Sequence, residues 1–186
     1  GFSIISGHTR TTYKRNSGLN EITLSQRVQR VKPSPTLAVS ARAAELRAAG
    51  TDIIGLGVGE PDFDTPDHIK QAAIQAIKQG ATRYTAVDGT AELKSAIINK
   101  FQRDNGLSYQ PDQILVSCGG KQSFYNLAQA LLNPGDEVII PAPYWVSYPD
   151  MVKLADGEPV FIKAGLEQTF KITPEQLDAA ITPKTR

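Results

Sequence analysis

Two glycines followed by a lysine form the first place in this sequence where backbone and side chain could do chemistry together. Gly119 and Gly120 follow an apolar, strand-like segment, and Lys121 comes directly after them, at the start of a helical pattern. Glycines let backbone amides approach an anion closely, and a helix start presents free N–H groups at the positive end of its dipole. The lysine adds a full charge. This pattern predicts a phosphate-binding site that needs no metal ion. The alternative is a tight strand-to-helix turn, which would also require glycine.

A second candidate is the segment PAPYWVSY at residues 141–148, which follows the next predicted strand. Ligands of open α/β sheets gather outside the carboxyl ends of the strands. Two prolines stiffen this segment and could aim Trp145, the only tryptophan, so that its indole stacks on a flat heteroaromatic ring. The alternative is that Trp145 and Tyr148 are core residues at helical spacing.

The glycine-rich segment at residues 55–64 does not predict a dinucleotide site. Its spacing is G-x-G-x-G, and Pro61 with several carboxylates follows at once. Those carboxylates would repel a pyrophosphate, and no helix opens there to bind one. Glycines before a rigid turn instead suit a loop whose backbone lies against a small ligand.

The other residues with chemical potential give weaker signals. A turn-rich link at residues 82–89 carries Tyr84 and is uninformative by itself. Cys118 is the only cysteine, and we interpret it as a small buried residue rather than a nucleophile. With two histidines beside it, a zinc site is not expected, and we predict no metal site.

The elements that must position these residues follow from periodicity and capping signals. Helices are predicted from the hydrophobic spacing and from Pro, Gly and Thr at the ends, at residues 37–49, from 65–66 to 80, from 90 to about 104, 121–132, 144–155 and from a capping box at 173–176 to about 181. Short apolar runs predict strands at residues 53–58, 114–117, 138–140 and 159–163. Strands that alternate with helices indicate an α/β domain with a largely parallel sheet.

Composition excludes several classes of protein. The 186 residues carry a formal net charge of +1 with no broad basic face, and no apolar run is long enough to span a bilayer. We therefore expect neither nucleic acid nor membrane as a partner. A single cysteine fits a reducing, cytoplasmic compartment. Residues 1–20 are basic, polar and free of acids, and we interpret them as a disordered leader added upstream of the domain, with a transit peptide as the alternative.

Together these segments resemble the class I aminotransferases of pyridoxal phosphate (PLP) fold type I, and among them the bacterial aspartate aminotransferase and aspartate-prephenate aminotransferase branch. The resemblance runs from about Leu24 to Arg186. It is carried, in order, by VKPS at residues 31–34, GEPDFDTP at 59–66, GGK at 119–121 and PYWVSYP at 143–149. Four matches in the right order are far more specific than any one of them.

The resemblance implies a three-layer α/β fold with a largely parallel sheet flanked by helices, incomplete in this chain. It also implies boundaries: a leader at residues 1–20, an amino-terminal arm and the start of a small domain at 21–65, and the first part of a large PLP-binding domain at 66–186. PLP is the implied cofactor, with amino acid and 2-oxo acid substrates and a homodimeric assembly.

Roles for single residues come from the resemblance alone. Gly120 and Lys121 would hold the cofactor phosphate, with Gly119 shaping the turn. Trp145 would stack on the pyridine ring and line the substrate site. The remaining implied contacts are those of Gly59 with the substrate carboxylate, Tyr84 with the partner subunit's cofactor phosphate, and Lys32 with prephenate as a second amino acceptor.

The resemblance also implies that no catalytic residue lies in this chain. The family's Schiff-base lysine and carboxylate-binding arginine lie beyond the segment that matches residues 181–186. We therefore expect the isolated chain to be an inactive fragment with exposed strand edges. The alternatives are a fragment of a fold type I lyase or synthase, and a non-catalytic half-domain that pairs with another chain.

Overall fold

The computed structural model describes residues 23–57 and 59–186, which fall into two compact units. One unit contains the described residues up to Lys32 together with Asn133–Tyr144 and Tyr148–Arg186, and the other contains Pro33–Leu132 and Trp145–Ser147. The predicted leader at residues 1–20 lies outside the described residues. The domain boundaries predicted above stay a prediction.

The unit built on residues 33–132 is helical. Its elements are α2 (Pro35–Ala48), α3 (Asp67–Lys78), α4 (Ala91–Asn105), a short 3₁₀ helix (Pro111–Gln113) and α5 (Gly120–Leu131). Thr90 caps α4 by accepting a hydrogen bond from the Leu93 amide, and Gly106 ends that helix in the left-handed conformation, with φ 67°. These ends agree with the sequence signals that predicted them.

The other unit holds a parallel β–α–β arrangement. Strand β1 (Glu137–Ala142) pairs in register with β2 (Glu158–Lys163), and α6 (Ser147–Leu154) connects them. The remaining elements are α1 (Gln26–Gln29), a 3₁₀ helix (Leu166–Gln168) and α7 (Pro174–Ala180). The capping box of α7 is present as predicted, with Thr173 and Gln176 exchanging hydrogen bonds.

The apolar core lies mainly in the unit that contains this sheet. Six of the eight buried apolar residues of the described chain belong to it: Ile140, Met151, Val152, Ala155, Ile162 and Ala164. Val152 is fully buried. Among the described apolar residues of the helical unit, only Ile114 and Ala128 are buried, whereas Ile54, Leu56 and Phe63 are almost fully exposed.

Two predicted strands are wrong. Residues 53–57 form no strand, and neither do residues 114–117, although Ile114 is buried as the prediction requires. A strand needs a neighbouring strand to complete its hydrogen bonds. Among the described residues these two segments have no such neighbour, so neither forms a ladder.

The starts of α3 and α6 differ from the prediction at a proline, while α2 and α5 begin slightly earlier than predicted, at Pro35 and Gly120. Pro66 is the cap of α3 rather than its first residue, which leaves Thr65 too far out to cap the helix. Helix α6 begins at Ser147 instead of Tyr144 because Pro149 has no N–H and is tolerated only in the first turn. No helix among the described residues is long and apolar enough to cross a membrane.

Candidate functional site

The start of α5 has the geometry of an anion site. Gly119 precedes the helix with φ 87°, a conformation that side-chain-bearing residues rarely adopt, and its amide donates to the Ser117 carbonyl at 2.9 Å. The amides of Gly120 and Lys121 have no acceptor within residues 23–57 and 59–186. Nothing lies within 4 Å of the position that a Cβ would occupy on either glycine. Two backbone donors without an acceptor among the described residues therefore stand at the positive end of a helix dipole.

Gln122 fixes this turn, and the sequence analysis missed its part. Its side-chain oxygen accepts a hydrogen bond from the amide of Cys118, just before the glycines. The amides of Gln122 and Ser123 bond back to the carbonyl of Gly119. A glutamine at the third position of a helix is one half of a capping box, and that position was the available signal.

Lys121 and Trp145 come together. The Lys121 ammonium nitrogen lies 4.9 Å from the centroid of the Trp145 ring, within cation–π range. Trp145 is 44% exposed, which argues against the alternative that it is a core residue. The two candidate segments are separated in the sequence, but Lys121 and Trp145 lie together in the helical unit. They therefore supply one candidate site.

The link that carries Tyr84 is fixed at its far end. Tyr84 itself is fully exposed. Asp88, four residues on, pairs with Lys94 of α4, and the Asp88 carbonyl accepts from the Val116 amide at 3.0 Å. The hydrogen bond from Lys94 holds the pKa of the Asp88 carboxyl below its ordinary value. The sequence analysis did not identify Asp88 or Lys94, and their spacing of six residues gives no recognised signal.

The remaining predicted positions are open to solvent. Gly59 is exposed, with nothing within 4 Å of a Cβ position, and Lys32 is exposed as well. Their predicted substrate contacts stay predictions. The expectation that Cys118 is buried is wrong: the thiol is exposed, because Cys118 enters the open turn at the start of α5 and has left the covered segment around Ile114. The described residues contain no group of three or more His, Cys, Asp or Glu residues that could hold a metal ion.

Comparison with protein families gives one match. The family described as aminotransferase class I and II matches residues 51–186, which include both glycines, Lys121 and Trp145. Among curated relatives, an aspartate/prephenate aminotransferase of Nitrosomonas europaea is 69% identical over 163 residues. One of Cereibacter sphaeroides is 66% identical over the same length. Each alignment covers 88% of this chain and 41% of the relative, so the chain spans about two fifths of the length of these proteins.

Solved structures agree with the family match. The aspartate aminotransferase of Rhizobium meliloti is 52% identical with a TM-score of 0.85, and the match covers 89% of this chain and 41% of that one. The Thermus thermophilus aspartate aminotransferase with maleate gives the same identity and TM-score and is covered to 43%. Over the part that it spans, this chain therefore has the α/β fold of these fold type I enzymes.

Proposed function

Because this chain belongs to the class I and II aminotransferase family, we propose that it forms part of an enzyme that moves an amino group from aspartate to 2-oxoglutarate with PLP. The proposal concerns the complete polypeptide that carries these residues, since the chain spans only 41% of the relatives' length. The single observation that carries it is the meeting of the α5 start with Trp145 through Lys121.

The residues at this site fit PLP. The free amides of Gly120 and Lys121, together with the Lys121 ammonium, suit a phosphate. The exposed indole of Trp145 suits the face of an aromatic ring. Because that ammonium lies 4.9 Å from the indole centroid, one small molecule that carries both an anionic group and a ring could contact both side chains.

When bound, PLP supplies an aldehyde that takes up the amino group and a ring that withdraws electrons from the α-carbon of the substrate. The chain's own residues hold and orient it. The α5 amides and Lys121 anchor the phosphate, which fixes the position of the ring. Trp145 would cover one face of that ring with its indole. Gly59 offers its backbone to the substrate carboxylate.

Aspartate as the donor is supported by the relatives' names and by the ligand of the Thermus enzyme. Like aspartate, maleate is a four-carbon dicarboxylate, but it carries no amino group. The relatives named aspartate/prephenate aminotransferases support prephenate as a second acceptor, with Lys32 as the residue that favours it. A cytoplasmic homodimer, in which Tyr84 reaches the partner subunit's cofactor phosphate, completes the proposal; the full exposure of Tyr84 is compatible with such a reach.

The test is an amino-transfer assay on the complete polypeptide loaded with PLP. Aspartate and 2-oxoglutarate should give oxaloacetate and glutamate, and prephenate should replace 2-oxoglutarate as acceptor. Lys32→Ala should lower kcat/KM for prephenate more than for 2-oxoglutarate. Release of free ammonia from aspartate without formation of glutamate would contradict the proposal and point to a lyase.

A further inference from the structure

A buried lysine outside the proposed PLP contacts links two loops of the helical unit. The Lys94 side chain is only 11% exposed, and Lys94 is the only buried basic residue in the described part of the chain. Lysines are rarely buried unless they are paired, because an ammonium group is costly to remove from water. The partner of Lys94 is the carboxylate of Asp88, six residues earlier.

Asp88 makes a second contact through its backbone. Its carbonyl accepts a hydrogen bond from the Val116 amide at 3.0 Å. Next to it, Gly89 has φ 110°, and a Cβ there would lie 2.5 Å from Cγ2 of Val116. Only glycine allows this approach. The Lys94–Asp88 pair is therefore continuous with a close backbone contact to the segment that leads into α5.

The two segments joined in this way each carry a proposed phosphate contact. Asp88 ends the link that holds Tyr84, and Val116 stands three residues before Gly119. No strand among the described residues pairs with residues 114–117, so the bond to Asp88 is a main restraint on their position. A change at Lys94 would be transmitted to both loops without any contact between Lys94 and the cofactor.

We propose that Lys94 is a positioning residue for the cofactor phosphate, acting through Asp88 on the Tyr84 link and on the α5 start. The inference rests on the proposed function. The opposing view is that the pair only stabilises the beginning of α4 against unfolding. The hydrogen bond from Lys94 lowers the pKa of the Asp88 carboxyl, which favours the charged form of Asp88 in this pair.

The test compares PLP with pyridoxal, which has the same ring and aldehyde but no phosphate. Dissociation constants of both are measured by spectral titration of the complete polypeptide and of Lys94→Met, which keeps the length of the side chain and removes its charge. We expect a PLP dissociation constant raised about tenfold, within the usual range for coupled neighbours, and a pyridoxal constant that changes less than twofold. Lys100→Met is the matched control, because Lys100 lies on the same helix and is half exposed, and it should change neither constant.

Three further variants extend the test, and the first two keep it decisive if Lys94→Met fails to fold. Asp88→Asn removes the charge of a partner that is 44% exposed and should raise the PLP constant in the same direction. Lys94→Arg should restore most of the PLP affinity. In the double variant Lys94→Met/Asp88→Asn the losses should not add, because both changes remove one interaction.

The outcomes separate this inference from the proposed function. If the unmodified polypeptide binds PLP no better than pyridoxal, the phosphate site itself is wrong. If it discriminates between them while Lys94→Met and Asp88→Asn lower only the melting temperature, the pair is merely structural and the positioning role is overturned.

Discussion

The sheet region and the α5 start are built in different ways. In the sheet region, β1, α6, β2 and the residues that follow them bury a set of apolar side chains, and Val152 is fully buried. At the α5 start, by contrast, the glycines and Lys121 are exposed, and the contacts are hydrogen bonds around Gly119 and the cation–π contact of Lys121 with Trp145. Apolar burial stabilises the sheet region, whereas polar contacts fix the positions of the exposed groups at the α5 start.

This difference indicates where substitutions should affect stability and where they should affect binding. A site that receives a phosphate and a ring must leave donors and an aromatic face free, and free groups contribute little to folding. Changes in the sheet region should therefore lower stability without changing the affinity of the folded protein for PLP. Changes at the α5 start should lower the affinity for PLP with little effect on the stability of the folded protein.

The largest effect is expected at Val152, on the stability side of the comparison. Val152→Asp would bury an unpaired carboxylate and should cost about 4 kcal/mol or more, which is a large part of the stability of a typical domain. Val152→Ala, which leaves a small cavity, should lower the free energy of unfolding by about 2 kcal/mol in urea denaturation. Folded Val152→Ala should bind PLP normally. A loss of PLP affinity in that variant at unchanged stability would break the comparison.

A somewhat smaller effect is expected at Trp145, on the binding side. Trp145→Ala should weaken PLP and pyridoxal alike, by about 2 kcal/mol, because stacking on the indole concerns the ring that both compounds share. Trp145→Phe keeps an aromatic face and should lose less. The thermal stability of both variants should stay close to that of the unmodified protein. Equal affinities of all three for PLP would exclude Trp145 as the stacking residue.

The smallest effect is a pH dependence at the start of β1. The hydrogen bond from the backbone amide of Asn133 is the main cause that holds the pKa of Asp136 below the ordinary value of 3.8. The side chain of Asn133 and the charge of Arg186 lower this pKa further. A lowered folded-state pKa stabilises the protein above the unfolded-state pKa, and this stability is lost as the pH falls through the folded value. Asp136→Asn should therefore show a shallower acid unfolding curve below about pH 4. An identical curve would show that Asp136 does not contribute to acid stability.

Sequence reasoning succeeded where the cause was local. The capping box at Thr173, the cap at Thr90 and the glycine that ends α4 depend on residues within one helical turn, and each is present. The glycine-rich start of α5 was found for the same reason. Four motifs in order were also enough to identify the family, since no single one was specific.

Sequence reasoning failed where the cause was distant. An apolar run at residues 114–117 does not reveal whether a neighbouring strand exists to pair with it. The hydrogen bond between Asp88 and Val116 joins two segments that are 28 residues apart, and no composition rule predicts this contact. The pairing of Asp88 with Lys94 is closer in sequence, but a spacing of six residues matches no recognised pattern. The exposure of Cys118 was also missed, because the sequence shows the turn at the start of α5 but not how open that turn is to solvent.

The most direct test of the phosphate site is the affinity of Lys121→Ala for PLP and for pyridoxal, measured by spectral titration of the complete polypeptide. Loss of a hydrogen-bonding charge should raise the PLP dissociation constant about 10- to 100-fold and leave that of pyridoxal nearly unchanged, and Lys121→Arg should lose less. An unchanged PLP constant in Lys121→Ala would contradict the assignment of the α5 start as the phosphate anchor.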